Sequence, residues 1–242
     1  MQKARHVVLA ALMAVATAVP AAGQSLEQVL DGYYDAIGGV EAWEGLRTMR
    51  ASGTLDVMGG MATGPFTIVQ MRPAMFRLTI DIQGMRIVQA YDGATAWQVM
   101  PMMGITEPEV ADAETAASIR EQSDLDGPFI GWEEDGLTLA LDGTEVIDGV
   151  ETTKVRVTSP EGKIWDVYLG ADHLPVRIVS TASVQGVTGQ LTTKLGDYRD
   201  VGGMMFAYWI EVDTAMGSQT LTFDSIEVNV PVDRAIFSMA GG

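Results

Sequence analysis

From Arg47 onward, apolar and polar side chains alternate with a period of two, the pattern of half-buried strands. It predicts strands near 47–58, 62–72, 75–82, 85–91, 95–100, 137–147, 151–158, 163–169, 175–183, 187–199, 204–213 and 217–228. Gly59–Gly60, Gln83–Gly84, Asp92–Gly93, Asp148–Gly149, Glu161–Gly162 and Gly202–Gly203 lie between them and supply the positive φ that two-residue hairpins require. Their regular spacing predicts an antiparallel meander. Long helices do not alternate with the strands, which argues against a parallel α/β sheet. About a dozen strands in one open sheet must curl, so the expected fold is mainly β with few helices: an unclosed antiparallel β-barrel of about 11–12 strands.

Two departures from period two frame this meander. Before it, Leu26, Val29, Leu30, Tyr33 and Ile37 repeat at helical intervals behind a Ser25/Gln28 capping-box spacing, and Gly38–Gly39 stop the helix. A short turn carrying Trp43 then delivers the chain into the sheet. Within the meander, residues 104–136 form one long insert. Glu109–Gln122 favours helix with only a thin apolar stripe of Val110, Ala113, Ala117 and Ile119, and Phe129, Ile130 and Trp132 follow as an apolar tongue between acidic segments. A long insert in a meander is usually functional.

The first residues have another purpose. Lys3, Arg5 and His6 precede an apolar run from Val7 to Val19, followed by Pro20, Ala21, Ala22 and Gly23, the layout of a secretory signal peptide over residues 1–23 with cleavage near Ala22 or Gly23. The run is too short to span a bilayer comfortably. Residues 24–242 then form a single domain. The chain contains no cysteine, so neither disulfides nor a lipid attached through a thiol are expected, and the product reads as a periplasmic monomer.

Composition narrows the partners. Of 242 residues, 47% are hydrophobic and 19% charged, enough for a packed core. The formal net charge of -17 opposes nucleic acid and anionic lipid headgroups and leaves neutral or apolar partners. Candidate chemistry is thin. His173 is the only imidazole beyond residue 6 and sits in a turn; a Gly-x-Ser-x-Gly elbow, a phosphate loop and zinc-ligand spacings are all missing. The carboxylates of Asp124–Asp126 and Glu133–Asp135 match neither a calcium loop nor a glycosidase pair and read as solvated acids flanking the tongue. No cofactor is expected. The fifteen methionines suit a surface that re-packs around varying apolar guests, or an ordinary core.

The stretch from Met71 to Pro101 carries a resemblance. Its Arg72–Pro73, the aromatic Phe76, a strand, then Asp92–Gly93, Trp97 and Pro101 resemble the periplasmic lipoprotein carrier LolA and its superfamily, and "GPFIGW" at 127–132 is similar to that family's lid. The cadence of residues 146–178 resembles distant members of the same superfamily, and the entry at 33–55 is similar to that of outer membrane lipoprotein-sorting-like proteins. The resemblance implies an unclosed β-barrel with helices over its mouth, no cofactor and an apolar cavity that shields acyl chains of a lipoprotein or another lipid. It implies an inner-membrane donor and an outer-membrane acceptor, and it gives Arg72 the role of holding the lid shut, its rigid fork of donors reaching lid carbonyls. The lining expected on one strand face is Phe66, Ile68, Phe76, Leu78, Ile80, Val88, Trp97 and Val99, with Phe129, Ile130 and Trp132 on the lid. A slip of one residue would turn any of these outward. A non-catalytic envelope sensor or scaffold of the same fold, and an enzyme using the cavity, are the alternatives.

Overall fold

The computed structural model describes residues 24–241 apart from 185, 186 and 216, and the expected signal peptide at 1–23 lies outside the described residues. α1 (Leu26–Ala36) begins at Ser25, where the reciprocal Ser25/Gln28 capping box forms, and α2 (Val40–Glu44) follows. The strands are β1 (Thr48–Val57), β2 (Ala62–Met71), β3 (Met75–Ile82), β4 (Met85–Tyr91), β5 (Ala96–Met100) and β6 (Ile105–Val110). After α3 (Ala113–Glu121) come β7 (Thr138–Ile147), β8 (Val150–Thr158), β9 (Ile164–Leu169), β10 (Pro175–Val184), β11 (Val187–Val201), β12 (Met204–Thr214) and β13 (Gly217–Val228).

All thirteen strands form one antiparallel sheet in the order β6-β5-β4-β3-β2-β1-β13-β12-β11-β10-β9-β8-β7. The expected hairpins explain most of this. Gln83–Gly84, Asp148–Gly149 and Gly202–Gly203 all have positive φ at both positions, the geometry whose twist matches the flanking strands. The first strand pairs with the last, Met49 opposite Val228, so the seam lies at the centre of the sheet. The free edges are β6 and β7, which are consecutive in sequence. Whatever joins them must therefore run from one edge of the curled sheet to the other. A bulge between Ser52 and Gly53 bends the seam, and a Cβ at Gly53 would run into the Thr222 carbonyl oxygen.

The thirteenth strand, β6, falls where the sequence pattern predicts loop and then helix from Glu109. It is a short, mostly exposed edge strand carrying Glu107, Pro108 and Glu109. Proline and charge are tolerated there because an edge needs no second ladder, and they erase the alternation that reveals a strand. The helix starts later than predicted, at Asp112, whose side chain accepts from the Thr115 amide at 2.9 Å. Its buried side is Ile119 with Ala116 packed beside it, not the stripe through Val110, which is exposed.

The sheet has an inner face, on which α1, α3 and the tongue pack, and an outer face. Inside, Val29, Leu30 and Tyr33 of α1 and Ile37 at its C-terminal cap meet Phe129, Ile130, Val155, Val157, Val167 and Leu169. The outer face of β2 to β5 is covered separately by the C-terminal residues, where Phe237 is fully buried against Val69 and Met75. Among the described residues no helix is long and apolar enough to cross a membrane.

Candidate functional site

Register decides which predicted lining residues share a face. Phe66, Ile68, Phe76, Leu78 and Ile80 are in phase on neighbouring strands, Phe66 opposite Ile80, Ile68 opposite Leu78 and Gln70 opposite Phe76. All five belong to the inner face: Phe66, Ile68, Leu78 and Ile80 cluster with Leu125 of the insert, and Phe76 lies against Ile119 of α3. Val88, Trp97 and Val99 do not join them. Thr79 pairs with Val88, Ala90 with Trp97 and Val88 with Val99, so these three lie on the outer face. There Trp97 Nε1 donates to the Phe237 carbonyl at 2.7 Å, and the Arg77 guanidinium stands 5.4 Å from its ring centre. Their predicted place in the lining is corrected accordingly. In β4 and β5 apolar residues stand on both faces, so period two alone does not indicate which one points inward.

The inner face is unevenly covered. Beneath α1 it is filled by the protein's own side chains: Phe129 is fully buried, its ring edge-on to Tyr33 with centroids 4.9 Å apart, and Ile130 is 6% exposed. Trp132 is half-buried at the margin of the same cluster. Across the centre, by contrast, Ile68, Leu78, Ile80, Ile210 and Leu221 remain half-buried, an apolar trough with nothing packed fully over it. Every second residue of these strands points to the other face, where Asp81 pairs with Arg86 and Lys194 with Glu211, so the sheet is aliphatic on the trough side and carries charge on the other.

The insert is held across the inner face by a few polar contacts. Arg72 donates from Nη1 to Asp126 Oδ2 at 2.6 Å and from Nη2 to Asp126 Oδ1. Its remaining donors reach the Leu46 carbonyl at 2.8 Å and the Trp43 carbonyl at 3.0 Å, tying the exit of α2 to the insert. The guanidinium pKa is raised, chiefly by the hydrogen bond to Asp126. Its lid partner is thus a carboxylate rather than the carbonyls expected of it. The lid carbonyls are taken by Gln70, whose Nε2 donates to Gln122 at 2.8 Å and Asp124 at 3.3 Å, while Tyr34 Oη donates to Phe129 at 2.8 Å. Lys163, in the turn after β8, meets Glu121 at the end of α3 at 2.6 Å, linking the insert to the opposite wing.

Sequence alone leaves Gln70 out, although it stands in phase with Phe66 and Ile68, a polar residue on a mainly apolar face; Asp126, expected to be a solvated acid flanking the tongue, is instead paired with Arg72. Asp126 offered no signal beyond its acidity. His173 lies half-buried in a turn against Gly32 of α1, and no group of three or more His, Asp or Glu side chains among the described residues is disposed to hold a metal.

The unclosed antiparallel sheet is LolA-like in its fold, as its likeness to solved structures shows. The chain is similar to a DUF1329 family protein from Desulfovibrio piger ATCC 29098, with TM-score 0.57 and 12% identity over 88% of this chain and 98% of that one. It is similar to an outer membrane lipoprotein-sorting protein domain from Vibrio parahaemolyticus, with TM-score 0.55 and 12% identity over 88% and 96%. A LolA superfamily protein from Nitrosomonas europaea gives TM-score 0.57 and 12% identity over 86% and 96%. At such identity the likeness establishes the fold. No family model matches the sequence, and no curated protein matches it.

Proposed function

We propose that this chain is an exported, periplasmic, non-enzymatic carrier or binding protein that shields the acyl chains of a lipoprotein or another lipid in the trough of its inner face. The observation that carries the reading is the row of half-buried aliphatic side chains, Ile68, Leu78, Ile80, Ile210 and Leu221, left uncovered beside a hydrogen-bonded insert. Sheltering one methylene is worth ~0.8 kcal/mol, so ten carbons gain on the order of 8 kcal/mol before entropic losses. That suffices to hold a lipid in transit between an inner-membrane donor and an outer-membrane acceptor. Release then follows from opening of the insert, whose polar ties are few.

A second reading, an envelope sensor or scaffold, is favoured by one feature: Phe129, Ile130 and α1 fill part of the inner face without help from a guest. Both readings are tested by binding of a fluorescent twelve-carbon fatty acid to the purified protein. A carrier takes it up, and Leu78→Glu lowers its affinity at least about tenfold with unchanged far-UV circular dichroism. Absence of uptake by the unaltered protein leaves the scaffold, and turnover of ester substrates well above buffer restores the enzyme.

A further inference from the structure

One row of the inner face runs unbroken across five strands: Ala51 opposite Ile68, Ile68 opposite Leu78, Leu78 opposite Gln89, and Gln89 opposite Gln98. Its centre is aliphatic and its end is not. Two carboxamides stand side by side on β4 and β5 where the alternation calls for apolar side chains. Gln98 is 6% exposed, and its Oε1 has no hydrogen-bond partner among the described residues. Buried polar atoms are almost always paired, because an unmet acceptor in a low-dielectric setting is strongly disfavoured. Gln70 shows the ordinary outcome on the same face, with its Nε2 donating to two carbonyls of the insert. Gln98 differs in having a buried acceptor, on the face that carries the aliphatic row, that no donor among the described residues meets.

We propose that Gln98, flanked by Gln89, is the polar anchor of the trough, and that it accepts a hydrogen bond from the N–H of an amide-linked acyl chain. The aliphatic row from Ile68 to Leu78 takes the hydrocarbon, and the carboxamides take the linkage where the chain joins its headgroup. This rests on the carrier reading and makes it narrower. A site built to hydrogen-bond a donor discriminates against an analogue without it, since the analogue leaves the buried acceptor unmet. An ester of the same chain length offers no donor and is the disfavoured guest.

The test compares N-methyl dodecanamide with methyl dodecanoate as competitors of the fluorescent fatty acid. The unaltered protein binds the amide about tenfold more tightly, the discrimination one buried hydrogen bond gives. Gln98→Leu and the more nearly isosteric Gln98→Met bring the two affinities together mainly by weakening the amide, and both variants melt at or above the parent temperature because an unpaired buried acceptor is gone. Equal binding of amide and ester by the unaltered protein overturns the anchor while leaving the carrier intact, as does a preference that survives in either variant. Binding of neither competitor overturns the carrier reading and the anchor with it.

Discussion

The two wings of the sheet solve the same problem in different ways. In β7 to β9 the apolar cover lies inside, where Val155, Val157 and Val167 meet α1 and Phe129, while the outer face carries Lys154 and Arg156 bonded to Asp142 and Asp166 at 2.8–3.1 Å. In β2 to β5 large apolar side chains stand on both faces among a few polar ones, and the chain supplies a cover for each, α3 inside and the residues around Phe237 outside. A sheet face left in water must be made polar, and one left apolar must be covered. The first solution needs only local alternation; the second draws on chain from a distant part of the sequence.

That contrast is broken most severely at Phe237. Phe237→Ala removes a fully buried ring and should cost about 3–5 kcal/mol in urea unfolding, with Trp97 emission shifting to the red as its shelter is lost. Native-state hydrogen exchange should show the loss concentrated in β3 to β5, with β8 and β9 protected as before. Equal loss in both wings would mean that they open as one unit and that the outer cover is not specific to one of them.

A smaller effect is expected where the insert ties the wings together. Arg72→Gln forfeits a charged pair and leaves the Asp126 carboxylate without its partner, at about 1.5–3 kcal/mol. The backbone amides of residues 122–130 should exchange faster while those of β12 and β13 do not. Unchanged exchange in the insert would assign the closure to Gln70 and Tyr34 alone.

The polar solution of the far wing gives the mildest and most condition-dependent change. Burial pushes the Asp166 carboxyl up, but hydrogen bonds and charge from Arg156 and Lys154 outweigh it and hold its pKa below the usual value. A carboxyl lowered in the folded state contributes stability above the ordinary carboxylate range and loses it as pH falls through the lowered value. Asp166→Asn should therefore cost roughly 0.5–1 kcal/mol near neutrality, less in high salt, and nothing once the pH is well below that range. A cost that persists in acid would show that packing, not charge, is what Asp166 supplies.

The difference between the wings also explains what was readable from residues alone. Strands, hairpins, the capped first helix and the long insert followed from local period and turn chemistry, and the seven strands β7 to β13 came out near their true bounds. Strand β6 did not, because its acids and Pro108 suit an edge and hide the alternation. Phe66, Ile68, Phe76, Leu78 and Ile80 were grouped on one face by phase alone, whereas Val88, Trp97 and Val99 were placed on the wrong one. Nothing nearby in sequence says that residues around Phe237 return to cover them. The same limit applies to Arg72: its donor fork is legible, but its partner Asp126 lies in an insert whose path depends on which strands are the free edges.

The seam between β1 and β13 has a consequence for the order of events in folding. Since the opening strand finds its neighbour only in the closing one, hairpins on either side can form early and separately, but the two halves cannot be zipped together until the final stretch of polypeptide has arrived. A chain emerging gradually from a ribosome therefore remains two loose ribbons until β13 is free. Any factor that delays the tail prolongs the interval in which unpaired strand edges are open to aggregation or to a chaperone.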